Sequence, residues 1–447
     1  MIGAIDAGQL SQRISVRTAA GISSAIIDLI RDRELPRGTR LPTVRALATE
    51  LGVSPSTVAE AWRLLARYSM INGNRRSGTL VSGPPQLQRP ARYEMLGAFG
   101  DRLRVDLTVA APDAALLPDL HEALRFGAET ANLNSYDRER ITQPLRRAIE
   151  PTWPFPAESW MAVNGGYEGV QLLIAACSVP GDRIAIENPT SARLFDLIDQ
   201  RTDRVITATC DAEGPRPEAV ARALEEKPAL FILQPRAHTP CGHGLSDGRA
   251  QELAQLFAGT STLVVEDDGI GDLSNRQPVS VGTHLPQQTV CVRSLSKAYG
   301  PDLRLAVIGG PTNVLDRVRI IRSYGAGWTS RILQNAAAHL MGDPAAIATV
   351  AAARTEYTAR RTALRDALSA RGIGTKNEDG LVLWMPVLDE SATLVTLAAH
   401  GVSVGPGSRY TERPDEPHVR VAVSRIERSP ATISDLADLL TMAARAS

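Results

Sequence analysis

Residues 291–310 read "CVRSLSKAYGPDLRLAVIGG", and the lysine within them sets the reading of the whole chain. The 447 residues include only Lys227, Lys297 and Lys376, so 46 of the 49 basic residues are arginine. Where charge alone is needed, this chain uses arginine. An amine, unlike a guanidinium, gives up its proton and attacks a carbonyl to form a Schiff base. Lys297 therefore reads as a nucleophile, and the apolar runs "TVCVRS" and "RLAVIGG" on either side read as the strands that hold it.

Working outward, short apolar runs such as "RIAIEN", "LFILQP" and "TLVVEDD" alternate with helical stretches such as "RPEAVARALEE" and "GRAQELAQLFA". That alternation predicts a largely parallel sheet covered by helices, with ligands beyond the C-terminal ends of the strands. Three segments place functional side chains there. "NGGYEGV" at 164–170 is a glycine turn opening a helix, suited to an anion. "VVEDD" ends one strand with Asp267, and "RSLSKAYGPDLR" ends another with Ser294, Ser296, Lys297 and Arg304. An anion cradle, a carboxylate, an amine and a cationic clamp are the inventory that pyridoxal phosphate requires. Lys297 would form the Schiff base and Asp267 would keep the pyridine nitrogen protonated. Ser294, Ser296, Arg304 and the amides of Gly166 and Tyr167 would hold the phosphate.

The net charge is zero, but its distribution is uneven: through residue 82 there are eleven arginines and six acidic residues. This basic segment also has an order of elements. "GISSAIIDLIRDREL" has helical spacing and "PRGTRLP" interrupts it. "TVRALATELGV" forms a short helix ended near Gly52, and "SPSTVAEAWRLLARY" starts another with Ser54 as N-cap and Pro55 in the first turn. "MINGNRRSGTLVS" follows as a hairpin. The sum is a winged helix-turn-helix over residues 1–82. Residues 83–104, rich in proline and arginine, read as a linker. Residues 105–447 form the α/β body, with a smaller C-terminal α+β subdomain mainly over 335–447 built from "TEYTARRTALRDALSARG", "LVLWMPV" and "HVRVAVSR".

Other classes are set aside on composition. Hydrophobic content of 43% and charged content of 22% suit a soluble globular protein. No stretch has the length and apolarity of a membrane span or secretory leader, so a cytoplasmic location is expected. Cys177, Cys210, Cys241 and Cys291 show neither paired zinc spacing nor a disulfide framework. His238 and His243 offer an alternative reading as a metal pair, but without further ligands nearby no metal is expected.

"LPRGTRLPTVRALATELGVSPSTVAEAWRLL" resembles the DNA-binding domain of GntR regulators. The resemblance implies that Arg45 contacts double-stranded DNA, that Ser54, Ser56 and Thr57 begin the recognition helix, and that Arg75, Arg76 and Gly78 form the wing. Pro55 and Ala59 depart from it where relatives often carry arginine. The body resembles fold-type I aminotransferases, with "SLSKAYGPDLRLAVIGG" as the lysine segment, "PRAHTPCGHGLS" as the Asn-Pro-Thr-Gly segment, and "GVSVGPGSRY" and "VRVAVSR" as C-terminal segments. By the same resemblance, Arg420 binds an effector or substrate carboxylate, and Tyr136 of the partner subunit reaches the phosphate of a homodimer. Together the two resemblances imply a MocR-like regulator. Ser191 stands where relatives often stack an aromatic ring, Thr239 replaces the usual asparagine, and Gly269 replaces a tyrosine. Thr239 or His238 is then left to contact the cofactor's phenolic oxygen. A regulator sensing pyridoxal phosphate or a small amino compound at Lys297 is the favoured expectation; a working aminotransferase with an accessory DNA-binding head is the alternative.

Overall fold

A short helix, Ala7–Ser11 (α1), precedes the expected one, Ala19–Arg31 (α2), whose Ile22, Ile26 and Ile30 are buried along one face. Thr43 caps Val44–Leu51 (α3), and Gly52 ends it in the left-handed conformation at φ +63°, which glycine adopts without strain. Ser54 Oγ accepts the N–H of Thr57 at 3.2 Å and starts Pro55–Arg67 (α4). The strands Ile71–Asn74 (β1) and Gly78–Val81 (β2) pair antiparallel, and β2 also bonds back to the segment before α3, with Leu41 N–H donating to Thr79 O at 2.9 Å. Leu10, Leu47, Leu51, Val58 and Leu65 complete the core of this unit.

The computed structural model describes residues 4–67, 70–74, 78–82, 90, 92, 104–130, 133–202, 204–375, 377–412 and 416–446. Arg75, Arg76 and most of the expected linker lie outside the described residues. The chain divides into two units, Met1–Arg89 and Pro90–Ser447.

The second unit is built on an eight-stranded sheet and a four-stranded sheet. Val105–Leu107 (β3) comes first in the chain. Then follow Ser159–Val163 (β4), Ile184–Asn188 (β5), Val205–Asp211 (β6), Gly214–Pro215 (β7), Leu230–Leu233 (β8), Leu263–Asp268 (β9), Thr289–Ser294 (β10) and Ala306–Gly310 (β11). The order is β4-β11-β10-β9-β8-β5-β6-β7, parallel from β10 through β6. β11 runs against both β10 and β4, and the two-residue β7 against β6. The central strands are largely apolar because both faces are covered, with their charged residues gathered mainly toward the C-terminal ends. Ile184, Ile186, Leu230 and Ile232 face a core with Val170, Leu173 and Leu315. Ala185, Phe231 and Leu233, one residue out of phase, face Val220, Leu253 and Phe257.

The smaller sheet joins Val382–Pro386 (β12), Val402–Pro406 (β13) and His418–Ala422 (β14) in the order β12-β14-β13-β3. Helices Pro344–Ser369 and Pro430–Ala444 cover it through Leu364, Leu368, Ile433, Leu436 and Leu440. Its fourth strand, β3, comes from the start of the unit and pairs parallel with β13. Three residues carry no periodic signal, so only the fold identifies β3 as part of this sheet.

Candidate functional site

Of the body residues expected to hold the cofactor or an effector, all but Tyr136 and His238 line one cavity of about 240 Å³; His238 is fully buried away from it, so of the two residues expected at the phenolic oxygen only Thr239 reaches the cavity. The topology explains the convergence. β4, β5, β8, β9 and β10 all end on the same side of the sheet, and antiparallel β11 begins there, so Arg304 arrives from the opposite chain direction. Lys297 stands on the short helix Ser296–Tyr299 after β10, and its Nζ donates to the Gly269 carbonyl oxygen at 2.9 Å. Burial lowers its amine pKa from the ordinary value, although Asp267 opposes the shift. Asp267 is in turn pushed up to about 6 by burial, against the pull of Lys297. Both shifts favour neutral groups, as expected for an enclosed pair with little water.

Asp267 is the middle of three consecutive acids, and the alternation of a strand assigns them separate surroundings. Glu266 is fully buried, accepts from Ser280 Oγ at 2.6 Å and Val281 N at 2.8 Å, and is raised by burial to about 7. Burial also acts on Asp268, but Arg236 and Arg293 outweigh it and hold the carboxyl below the ordinary value. Arg236 Nη2 lies 2.7 Å and Arg293 Nε 3.1 Å from Asp268. Only Asp267 lines the cavity; Asp268 balances two buried guanidiniums.

The glycine turn makes an open helix start. Gly165 has φ +103°, which calls for glycine, and a Cβ there would lie 2.9 Å from Arg304 Nη2 and push that guanidinium aside. No side chain caps helix Gly166–Cys177 (α5). Glu168 in its first turn instead bonds back to the backbone and side chain of Asn164. Arg304 also donates to Asn164 O at 3.1 Å, and Ser294 packs against Gly166. The free amides, the hydroxyls of Ser294 and Ser296, and the Arg304 charge make a cradle for a phosphate.

Several residues escaped the sequence reading. Tyr167 was assigned only its amide, yet its ring lies under the Arg193 guanidinium, 3.9 Å from carbon to centroid, and its hydroxyl bonds Ser191 Oγ at 2.9 Å. An aromatic ring thus reaches the cavity wall where residue 191 supplies none. Gln234 clasps the backbone of Thr239, donating to its O at 3.2 Å and accepting its N–H at 3.0 Å. Arg420 is buried; its Nη1 donates to Thr108 O at 2.8 Å, while its Nε has no hydrogen-bond partner among the described residues. Such a guanidinium favours an incoming anion. Tyr136 is 90% exposed, lies edge-on to Trp328 and does not line the cavity. The expectation that His238 and His243 lack companions is corrected: the fold brings Glu187 and Cys210 to them from segments distant in sequence, and Cys241 lies between them in the chain.

In the first unit, Arg45 is exposed near the start of α3. Ser54 Oγ lies 2.7 Å from Ser56 Oγ and 2.8 Å from Thr57 Oγ1, so the hydroxyls expected at the recognition helix form one cluster at its N-terminus. Gly78 has φ +78° and packs on Arg40.

Residues 105–437 match the family model of aminotransferase class I and II, and residues 18–81 that of bacterial regulatory proteins of the gntR family. The chain is similar to the vitamin B6 salvage pathway transcriptional repressor PtsJ of Salmonella typhimurium, 30% identical with 93% of this chain and 96% of that protein covered. It is also similar to the HTH-type pyridoxine biosynthesis transcriptional regulator PdxR of Corynebacterium glutamicum, 24% identical with 90% and 88% covered. Of solved structures, the multiple substrate aminotransferase from Thermococcus profundus matches with a TM-score of 0.71 at 19% identity, covering 80% of this chain and 95% of that one.

Proposed function

The chain belongs to the MocR-like regulators, a gntR-family head joined to an aminotransferase class I and II body, and on that premise we propose that it regulates transcription by binding double-stranded DNA through the head and reading pyridoxal phosphate, or a small amino compound, at Lys297. The observation that carries the reading is that the Lys297 amine and the Asp267 carboxyl line one cavity that also holds an uncapped helix start and Arg304.

These residues fit the cofactor. The open amides of Gly166 and Tyr167, with Ser294, Ser296 and Arg304, suit its phosphate dianion. Asp267 suits its pyridine nitrogen, and Thr239 lines the same cavity. When bound, pyridoxal phosphate supplies an aldehyde carbon and an electron-accepting ring. The chain contributes the rest. Burial increases the neutral, nucleophilic fraction of the Lys297 amine. The Gly269 carbonyl orients that amine, and the Arg420 guanidinium lining the cavity suits a carboxylate. Proton transfer at a bound amino compound demands a tightly oriented ring. Ser191, Thr239 and Gly269 supply few side-chain contacts for that, which favours sensing over turnover. Two copies acting in the cytoplasm, with Tyr136 of the partner subunit completing the phosphate site, extend this reading.

The test is the visible absorbance of the purified protein loaded with pyridoxal phosphate, titrated with amino acids and amines, with operator affinity followed in parallel. The reading requires a covalent adduct fixed at Lys297 by borohydride, and operator affinity that changes as the absorbance does. Sustained turnover with a keto acid, with operator affinity unmoved, would establish an enzyme instead.

A further inference from the structure

A second cavity of about 710 Å³ is lined by Cys210 of β6 and by Cys241 and His243 of the segment after β8. Behind it lies Glu187 of β5, fully buried. His243 is only 7% exposed, and its Nε2 has no hydrogen-bond partner among the described residues; the Glu187 Oε1 oxygen is 3.6 Å away. Cys210 Sγ is 3.9 Å from the same oxygen. Glu187 Oε2 is already occupied by the Gln234 N–H at 2.7 Å, so Oε1 is the oxygen turned toward His243 and Cys210. The donor atoms of Glu187, Cys210 and His243 lie within 4.8 Å of one another, as do those of His238, Cys241 and His243.

His238 has a different part. Its ring stacks on His243, 4.0 Å between centroids and 14° between planes, and its Nδ1 accepts the Cys241 N–H at 3.3 Å. An accepting Nδ1 leaves the ring proton on Nε2, which lies 3.5 Å from Glu187 Oε2 without a hydrogen bond to it. His238 therefore backs the neighbouring ring and offers no lone pair on that side.

We propose that His243, Cys210, Cys241 and Glu187 form a binding site for a divalent transition-metal ion of the zinc class, entered from the second cavity. One imidazole, two thiolates and a carboxylate are a zinc donor set, whereas calcium and magnesium take oxygen ligands. Ligand bonds of roughly 2.0–2.3 Å give tetrahedral edges of roughly 3.3–3.8 Å, close to the 3.6 and 3.9 Å that separate Glu187 Oε1 from His243 and from Cys210, the three-donor core of the site, to which Cys241 adds a sulfur within 4.8 Å of His243. Burial raises Cys241 to about 12, with Glu187 adding to the shift, and raises Cys210 well above its ordinary value. Without an ion the thiols keep their protons. On binding, each sulfur forms a metal bond and releases one proton to solvent, so affinity rises with pH.

The full-length protein, stripped of metal and kept reduced, is titrated with Co²⁺ and then Zn²⁺. The site predicts one ion per chain, near-ultraviolet thiolate-to-cobalt bands, strong tetrahedral bands in the red, and their loss as Zn²⁺ displaces Co²⁺. Cys210→Ser and Cys241→Ser should each weaken the thiolate bands and lower affinity about tenfold or more. Far-ultraviolet circular dichroism checks their folding. A measurement on the unaltered chain is independent of it: Zn²⁺ should slow alkylation of Cys210 and Cys241 but leave Cys177 unchanged. Absent thiolate bands, bands that survive in the double Cys→Ser variant, or equal alkylation with and without Zn²⁺ would overturn the assignment.

Discussion

Lys297 Nζ is held by the backbone of Gly269, donating to its carbonyl oxygen at 2.9 Å, at a position where no side chain intervenes. A Cβ on Gly269 would lie 3.8 Å from Asp267 Oδ1 and 3.9 Å from Lys297 Nζ, both ordinary contacts. Gly269→Ala is therefore expected to change stability by no more than about 0.5 kcal/mol and to retain the covalent adduct. Lys297→Ala should fold and lose the adduct. Borohydride reduction followed by peptide mapping distinguishes the two.

Gly165→Ala should behave otherwise. It places a Cβ 2.9 Å from the Arg304 guanidinium at φ +103°. Relief of that clash moves Arg304 off the cradle or distorts the start of α5. Pyridoxal phosphate binding should weaken about tenfold or more, since a displaced charge-assisted contact is worth at least ~1.5 kcal/mol. An absorbance titration that gives unchanged affinity would count against the cradle.

Stability should also depend on pH through Glu266. Its carboxyl is raised from 4.5 to about 7 in the folded chain. Between those values the unfolded chain loses a proton that the folded chain keeps, so stability falls as pH rises through the window and levels off above it. Glu266→Gln should flatten this slope, worth roughly 3 kcal/mol at most. Denaturant midpoints at pH 5 and pH 8 measure it. Asp268 acts in the opposite sense: held below 3.8, it contributes above that pH and is lost only in stronger acid.

For the head, Arg45→Ala should weaken operator binding and reduce its salt dependence by about one phosphate contact. Ser54→Ala removes the hydroxyl that accepts from Thr57 N and groups Ser56 with Thr57. It should cost the head about 1 kcal/mol as well as DNA affinity. Fluorescence anisotropy at several salt concentrations reads both; an Arg45→Ala variant with wild-type affinity and slope would remove α3 from the DNA interface.

The large sheet was readable because strands covered on both faces become unbroken apolar runs, as in Leu230–Leu233. The ends of those strands carried the chemistry, so Lys297, Asp267 and Arg304 could be found without a structure. Tyr167 was found for its amide and missed for its ring, because which wall a side chain meets depends on packing beyond the local sequence. Glu187 shows the same limit. It sits inside an apolar run, and its neighbours Cys210 and His243 come from two other segments. Arg236 carried no signal in the sequence, because the Asp268 that it pairs with lies on β9, a separate segment of the chain.

The pairing of β3 with β13 has a mechanical consequence. The chain leaving the head makes its first sheet attachment at Val105–Leu107, where Ser403 Oγ also bonds Asp106 at 3.1 Å. The next residue, Thr108, gives its carbonyl to Arg420. The guanidinium that lines the cavity is thus one hydrogen bond away from β3. A ligand that pulls Arg420 off Thr108 would loosen the outer strand of the smaller sheet.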